Sequence, residues 1–290
     1  MAFLETSPSH NSVSRILQHP NGQTTHLIED NYTDPWSKPE TILLQGGFAR
    51  HSAFWYHWVP ALARQYRVIR RDTRGHGRSS APSLDGKYDY TLGTILEEIL
   101  DTLDQLDIAK VHFLGESTSG MLGEALAAKY PDRLYSLTIC SSPTHLPPQA
   151  SELFAFGYAT WPDACRQLGS YGWAKQLAAV PGTLSASNVE YEQWWLNQIA
   201  VSSGEGLAGY AAVLESIDTR PFLSQISVPT LILAPAQSAV VRLDDQHEIA
   251  RQIPRSRLVV INGSGHEIYS QNAAECQKEL LLFLEGLSGG

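Results

Sequence analysis

Ser117 stands in Gly115-Glu116-Ser117-Thr118-Ser119-Gly120, between an apolar run at 110–114 and an Ala/Leu-rich run at 121–129. The first run reads as a strand, the second as a helix stopped by Pro131. A serine on a strand-to-helix turn, with small residues two places to either side, is a nucleophile elbow. The sharp turn exposes the hydroxyl, and larger side chains at 115 and 119 would meet neighbouring backbone. The helix that begins there aims its amino end at developing negative charge. The competing reading makes Ser117 an ordinary helix N-cap. A serine attacks only when a base removes its proton, so the ten histidines matter next. His266 closes the turn Gly263-Ser264-Gly265-His266 after an apolar run at 258–261. Imidazole titrates near neutrality and can accept a proton and later return it. His51 and His57, close to Gly46-Gly47, and His145, just past a strand, are candidates for lining a pocket, whereas Asp72 and His76 read as structural.

The elements that must position these groups alternate. Residues 13–30 read as two strands around the turn signal Asn21-Gly22, 41–45 and 66–70 as short strands, and 51–64 as helical. Then come a helix at 92–106, the strand and helix flanking Ser117, and a strand at 134–140. A strand at 230–234, a helix at 244–252, the strand at 258–261 and a helix at 272–287 complete the series. Short apolar strands alternating with helices imply a mostly parallel sheet covered on both faces, with chemistry beyond the carboxyl ends of its strands. The alternation breaks at 141–227, a stretch of helical pattern that holds Trp161, Trp173, Trp194 and Trp195. It reads as a helical cap inserted into a core formed by 13–140 and 228–287. Residues 1 to about 12 and the closing Gly289–Gly290 read as loose ends.

A net charge of −9, with no dense Lys/Arg block, argues against a nucleic-acid partner, because phosphate binding needs a basic face. No stretch is long and apolar enough for a membrane span, and the start lacks the basic-then-apolar pattern of a secretory signal. Cys140, Cys165 and Cys276 are odd in number and show no C-x-x-C spacing, so neither a disulfide framework nor a zinc site is expected. The chain is expected to be cytoplasmic, a monomer or homodimer, with a small-molecule substrate and no metal or organic cofactor.

Four blocks in order resemble the α/β-hydrolase superfamily over about residues 13–287. Leu43-Leu44-Gln45-Gly46-Gly47 is similar to its oxyanion turn, with Gln45 where histidine is usual. Asp72-Thr73-Arg74-Gly75-His76-Gly77-Arg78-Ser79 matches its D-x-R-G-x-G-x-S loop, Gly115–Gly120 is the elbow, and the turn at His266 is its catalytic-histidine turn. Within the superfamily the chain looks most like 3-oxoadipate enol-lactonases and related small-ester hydrolases. The resemblance implies an α/β-hydrolase fold, Ser117 as nucleophile and His266 as its base. Oxyanion donors would be the N–H groups of Thr118 and Gly47, unless Gly46-Gly47 is only a tight turn. Phe48, His51, Trp161 and Trp194 are expected to line the substrate pocket.

The chain departs from that pattern at the triad acid. The slot after the strand that follows the cap holds Ser238, and the alternative slot holds Ser141-Ser142. Three arrangements stay open. A carboxylate comes from Glu116, Asp244 or Asp245; or Ser238 orients the imidazole through a neutral hydrogen bond; or the protein is no longer a hydrolase. Without the counter-charge a triad loses roughly 10⁴ in rate, a loss that a reactive enol ester or strained lactone tolerates. The expected activity is therefore cleavage of a small to medium apolar or aromatic ester or lactone. Carbon–carbon bond hydrolysis or lysis on the same scaffold, and non-hydrolytic ligand binding, are the alternatives.

Overall fold

A computed structural model of the chain describes residues 11–81, 90–184 and 188–288. Of the ends read as loose from sequence, residues 1 to about 12 and 289–290, residues 1–10 and 289–290 lie outside the described residues, whereas Ser12 already opens the first strand, paired with Asp30. Eight strands form one sheet in the order β1-β2-β4-β3-β5-β6-β7-β8. β1 (Ser12–Gln18) and β2 (Thr24–Asp30) form an antiparallel hairpin whose turn holds Gly22 at φ 83°, a conformation glycine adopts without strain. From β4 to β8 every neighbouring pair is parallel.

β3 (Thr41–Gln45), β4 (Arg67–Arg71), β5 (Val111–Glu116) and β6 (Leu134–Cys140) form the centre of the sheet. Both faces of β3 and β5 are buried, which is why these strands read as continuous apolar runs rather than as alternating ones. The stretch 51–64, expected to be helical throughout, forms only a 3₁₀ turn at Ser52–Trp55 and the single turn α1 (Val59–Leu62). Trp55 and Trp58 are both fully buried, so packing of two large rings, rather than helix propensity, sets its path.

α2 (Leu92–Gln105) starts at a capping box between Thr91 and Thr94 and buries Ile95, Leu96, Ile99 and Leu103 on one face. α3 (Thr118–Lys129) is buried from Thr118 to Ala127 because it follows β5 through the middle of the molecule. Between β6 and β7 (Thr230–Gln237) lie α4 (Pro148–Ala155), α5 (Trp161–Ala178), α6 (Val189–Ile199) and α7 (Gly204–Leu214). The two ends of this insertion meet at a bridge between His145 and Asp218, where Thr219 N–H donates to the Thr144 carbonyl. α8 (Leu243–Gln252), β8 (Ser256–Ser264), α9 (Ile268–Gln271) and α10 (Ala273–Ser288) complete the fold. β5 and β7 run two and three residues further than their apolar runs suggest. Glu116 and Gln237 thus belong to strand ends.

The three cysteines are buried and unpaired in disulfides. Among the described residues no helix is long and apolar enough to cross a membrane, and no group of three or more acidic, His or Cys side chains could hold a metal.

Candidate active site

At the end of β5 the chain turns through Ser117 with φ 50° and ψ −125°, a strained conformation for a residue with a side chain. Crowding enforces the small residues around it. A Cβ on Gly115 would lie 2.4 Å from the Ser119 carbonyl oxygen, and one on Gly120 would lie 2.1 Å from Ser142 Oγ. Ser119, where a second glycine is usual, donates its hydroxyl to the Gly46 carbonyl at 2.6 Å and ties the elbow to the turn after β3. Ser117 occupies the N-cap position of α3, yet its side chain makes no capping bond. Instead Oγ lies 2.9 Å from His266 Nε2.

His266 sits between β8 and α9, its N–H donating to the Gly182 carbonyl at 3.2 Å. Burial and the nearby Arg50 charge hold its pKa down at about 3, so the ring is neutral at physiological pH. Its Nδ1 faces Ser238 Oγ at 3.1 Å. That oxygen also accepts the N–H groups of Val240 (3.1 Å) and Val241 (3.2 Å). Among the described residues no carboxylate bonds Nδ1. Glu116, one of the residues considered for the acid slot, lies on the other side of the ring, with Oε1 3.9 Å from Nε2. Asp244 and Asp245 are exposed in the first turn of α8, where Arg242 is the N-cap.

Gly47 packs directly against the elbow, and a Cβ there would lie 2.7 Å from Ser117 Cβ. Its N–H donates to Glu116 Oε2 at 2.8 Å. Burial pushes the Glu116 carboxyl up to about 7; Arg50 and the Gly47 N–H oppose that rise and Glu267 adds to it. Beside it Arg50, itself buried, pairs with the fully buried Glu267 through Nε at 3.0 Å and through Nη2. Glu267 also accepts Trp195 Nε1 at 3.0 Å and the Tyr191 hydroxyl at 3.3 Å.

The cavity at Ser117 measures about 40 Å³. Phe48, Phe154, Trp161, Trp173 and Leu177 form its apolar wall. The Phe48 ring lies 4.3 Å from Trp161 and 4.8 Å from Trp173, centroid to centroid. Three polar atoms of residues lining the cavity, Thr118 Oγ1, Trp161 Nε1 and Thr183 Oγ1, are buried with no hydrogen-bond partner among the described residues.

Of the expected lining residues, Phe48 and Trp161 border this cavity; His51 and Trp194 do not. His51 turns away, its Nε2 bonded to the Gln198 carbonyl at 3.0 Å. Trp194 packs outward against Phe54, Tyr56 and Tyr191, while Trp195, a turn of about 100° further round α6, points inward to Glu267. Asp72 has a structural position, bonded to Ser52 N–H, Arg78 N–H and His26 Nδ1. Arg50, Glu267 and Thr183 have no place in the sequence expectations for the site, and Trp173 enters them only as one of the tryptophans of the insertion. The one local signal for Glu267 is its position next to His266.

Residues 40–273 match the model of the alpha/beta hydrolase fold family. A protein named carbamate hydrolase RutD from Caulobacter sp. (strain K31) is 26% identical over 268 residues, covering 92% of this chain and 98% of that protein. 3-Oxoadipate enol-lactonase 1 from Acinetobacter baylyi is 28% identical over 228 residues, 77% of this chain and 80% of its own. The crystal structure of the enol-lactonase from Burkholderia xenovorans LB400 superposes with a TM-score of 0.79 at 27% identity, covering 91% of this chain and 98% of that one. The chain therefore belongs to the α/β-hydrolase family and is a hydrolase.

Proposed function

We propose that the protein is a serine hydrolase acting on a small to medium apolar or aromatic ester or lactone through an acyl-enzyme on Ser117. The observation that carries this reading is the 2.9 Å contact between Ser117 Oγ and His266 Nε2 at a strained elbow. His266 takes the Ser117 proton as Oγ attacks the carbonyl carbon, and the carbonyl π pair moves onto oxygen. Collapse expels the alkoxide or enolate, which receives the proton from His266. Water then attacks the acyl-enzyme with the same base, returning Ser117 and a carboxylic acid.

The neutral partner of Nδ1 supports a substrate with an activated leaving group. Ser238 orients the ring without offsetting imidazolium charge, and an enolate needs less assistance to depart than a plain alkoxide. An aromatic wall around a few polar atoms suits an apolar acyl or aryl group, with Trp161 Nε1–H and Thr183 Oγ1 available to its oxygens. A cavity of about 40 Å³ holds at most a few waters, so entry requires the helical insertion to move as a lid. The names of the relatives above, an enol-lactonase and a carbamate hydrolase, both denote acyl hydrolysis.

Mass spectrometry after treatment with a fluorophosphonate probe tests the reading: the expected result is one adduct on Ser117, abolished in Ser117→Ala. The Ser238 contact also favours a second reading, a carbon–carbon bond hydrolase at the same site. An unlabelled Ser117, or full turnover of a vinylogous diketone by Ser117→Ala, would support it over the first.

A further inference from the structure

Gly47, whose amide is the obvious second oxyanion donor, already donates to Glu116 Oε2 at 2.8 Å. A substrate oxygen arriving there meets a carboxyl group. That carboxyl is 2% exposed and fixed at the end of β5, one residue before the nucleophile. Its second oxygen, Oε1, forms no hydrogen bond among the described residues and faces the serine–histidine pair, 3.9 Å from His266 Nε2.

An ionised carboxylate held there would place negative charge where the tetrahedral intermediate must develop its own. A neutral carboxylic acid does the opposite. Gly47 N–H fixes one oxygen, and the O–H on the other points a donor at the reaction centre. A carboxylic acid kept neutral by an apolar site is an established oxyanion donor in another enzyme class. Building on the serine-hydrolase reading, we propose that Glu116 is a further catalytic residue, whose neutral acid form hydrogen-bonds the substrate oxyanion together with Thr118 N–H. Glu116 keeps its proton throughout. The proton that travels is the one between Ser117, His266 and the leaving group.

The surroundings agree with a neutral acid. Charged and titratable groups face the carboxyl from every side: Arg50 after β3, His266 and Glu267 before α9, Tyr269 on α9, Tyr210 on α7 and Cys140 at the end of β6. Arg50 is the one cation among them without a titration near neutrality, and Glu267 already holds it in a buried ion pair. Burial and the Glu267 charge bring the Glu116 pKa to about 7. Ionisation then removes the donor just above neutrality. His266, held down at about 3, is neutral across that whole range and contributes no titration there.

The test is steady-state hydrolysis of phenyl acetate from pH 5 to 9 by wild type, Glu116→Gln and Glu116→Ala. Near-ultraviolet circular dichroism and fluorophosphonate labelling of Ser117 check that each variant is folded. For the wild type, kcat/KM is expected to fall as pH rises through about 7. Glu116→Gln, whose amide still donates, should lose less than about tenfold at pH 6 and show no fall above 7. Glu116→Ala should lose about 10²–10³ in kcat, the loss typical of removing one oxyanion donor. An alanine variant as fast as wild type, or faster, would overturn the proposal and make the carboxyl an obstruction. A wild-type profile level or rising from pH 6 to 9 would overturn it too. Labelled Ser117 alongside either result leaves the serine-hydrolase reading standing; an unlabelled wild type sinks that reading instead.

Discussion

Ser238 Oγ lies 3.1 Å from His266 Nδ1 while accepting the N–H groups of both Val240 and Val241. A hydroxyl has one proton and accepts two donors. With both acceptor positions filled by amides, the hydroxyl has only its own proton left for Nδ1 and cannot accept a strong bond from Nδ1–H, so Ser238 gives weak support to the tautomer in which Nε2 is free to take the Ser117 proton. A carboxylate at the same position would find three donors waiting, two amides and Nδ1–H. Ser238→Asp is therefore expected to raise kcat for phenyl acetate by about tenfold or more, recovering part of the roughly 10⁴ that a lost triad acid removes. An unchanged kcat in a folded variant would show that another group already sets the tautomer.

Gly47 is constrained by space rather than by backbone angle. A Cβ at this position would come 2.7 Å from Ser117 Cβ, 2.9 Å from the Glu116 carbonyl oxygen and 2.9 Å from Glu116 Oε2. Two of these neighbours belong to the rigid elbow and cannot move without shifting the nucleophile. Gly47→Ala keeps its N–H but displaces the elbow and the Glu116 carboxyl, so it should lower kcat/KM by at least about 10², the order associated with losing one oxyanion donor, and should slow fluorophosphonate labelling in parallel. Normal labelling with lost turnover would place the damage elsewhere.

Arg50 and Glu267 link the site to the helical insertion, because Glu267 also accepts Trp195 and Tyr191 from α6. Removing the carboxylate strands a buried guanidinium. Glu267→Ala is expected to destabilise the fold by about 3–5 kcal/mol, which at about 2–4 °C per kcal/mol lowers Tm by roughly 6 °C or more. Glu267→Gln retains an acceptor for Trp195 and should lose less. Thermal unfolding followed by circular dichroism measures both; an alanine variant melting with the wild type would show that water reaches Arg50.

What the sequence revealed about this site was local. The glycines and serines at 46–47, 115–120 and 263–265 mark tight turns next to strands, and such turns carry their geometry in the residues themselves. Ser117 and His266 could be named for that reason, although 149 positions separate them. The Arg50–Glu267 pair spans 217 positions and has no pattern of its own. Its existence depends on how the turn after β3 and the His266 turn pack. Trp194 and Trp195 differ by one helical step, and nothing in a Trp-Trp pair says which ring faces inward. Glu116 lay inside the recognised elbow, but its direction depended on β5 extending to it. His51 was placed by proximity in sequence to Gly47, and the 3₁₀ turn it caps carries its ring away.

Glu124 on α3 is fully buried where the two ends of the insertion meet. Thr219 Oγ1 contacts both the Thr144 carbonyl, at 2.8 Å, and Glu124 Oε2. One hydroxyl proton cannot serve both. Given to the carbonyl, it leaves the threonine oxygen to accept a proton from a neutral Glu124. Glu124 Oε1 has no hydrogen-bond partner among the described residues, which also disfavours a charge, and burial pushes the carboxyl up to about 8 from an ordinary 4.5. Between those values the folded protein holds a proton that the unfolded chain releases. The stability from this group is therefore fully present below about 4.5 and is lost as pH rises through 8. The buried histidines act in the opposite direction. His266 and His76, held down at about 3 and 4 against an ordinary 6.5, lose stability as pH falls below 6.5. Glu124→Gln removes only the alkaline contribution. The Tm of this variant relative to wild type should therefore rise from pH 5 to about pH 8 and level off towards pH 9, because the amide stays neutral while the wild-type carboxyl ionises. A difference in Tm that does not change over that range would mean that Glu124 is ionised in the folded protein already at pH 5.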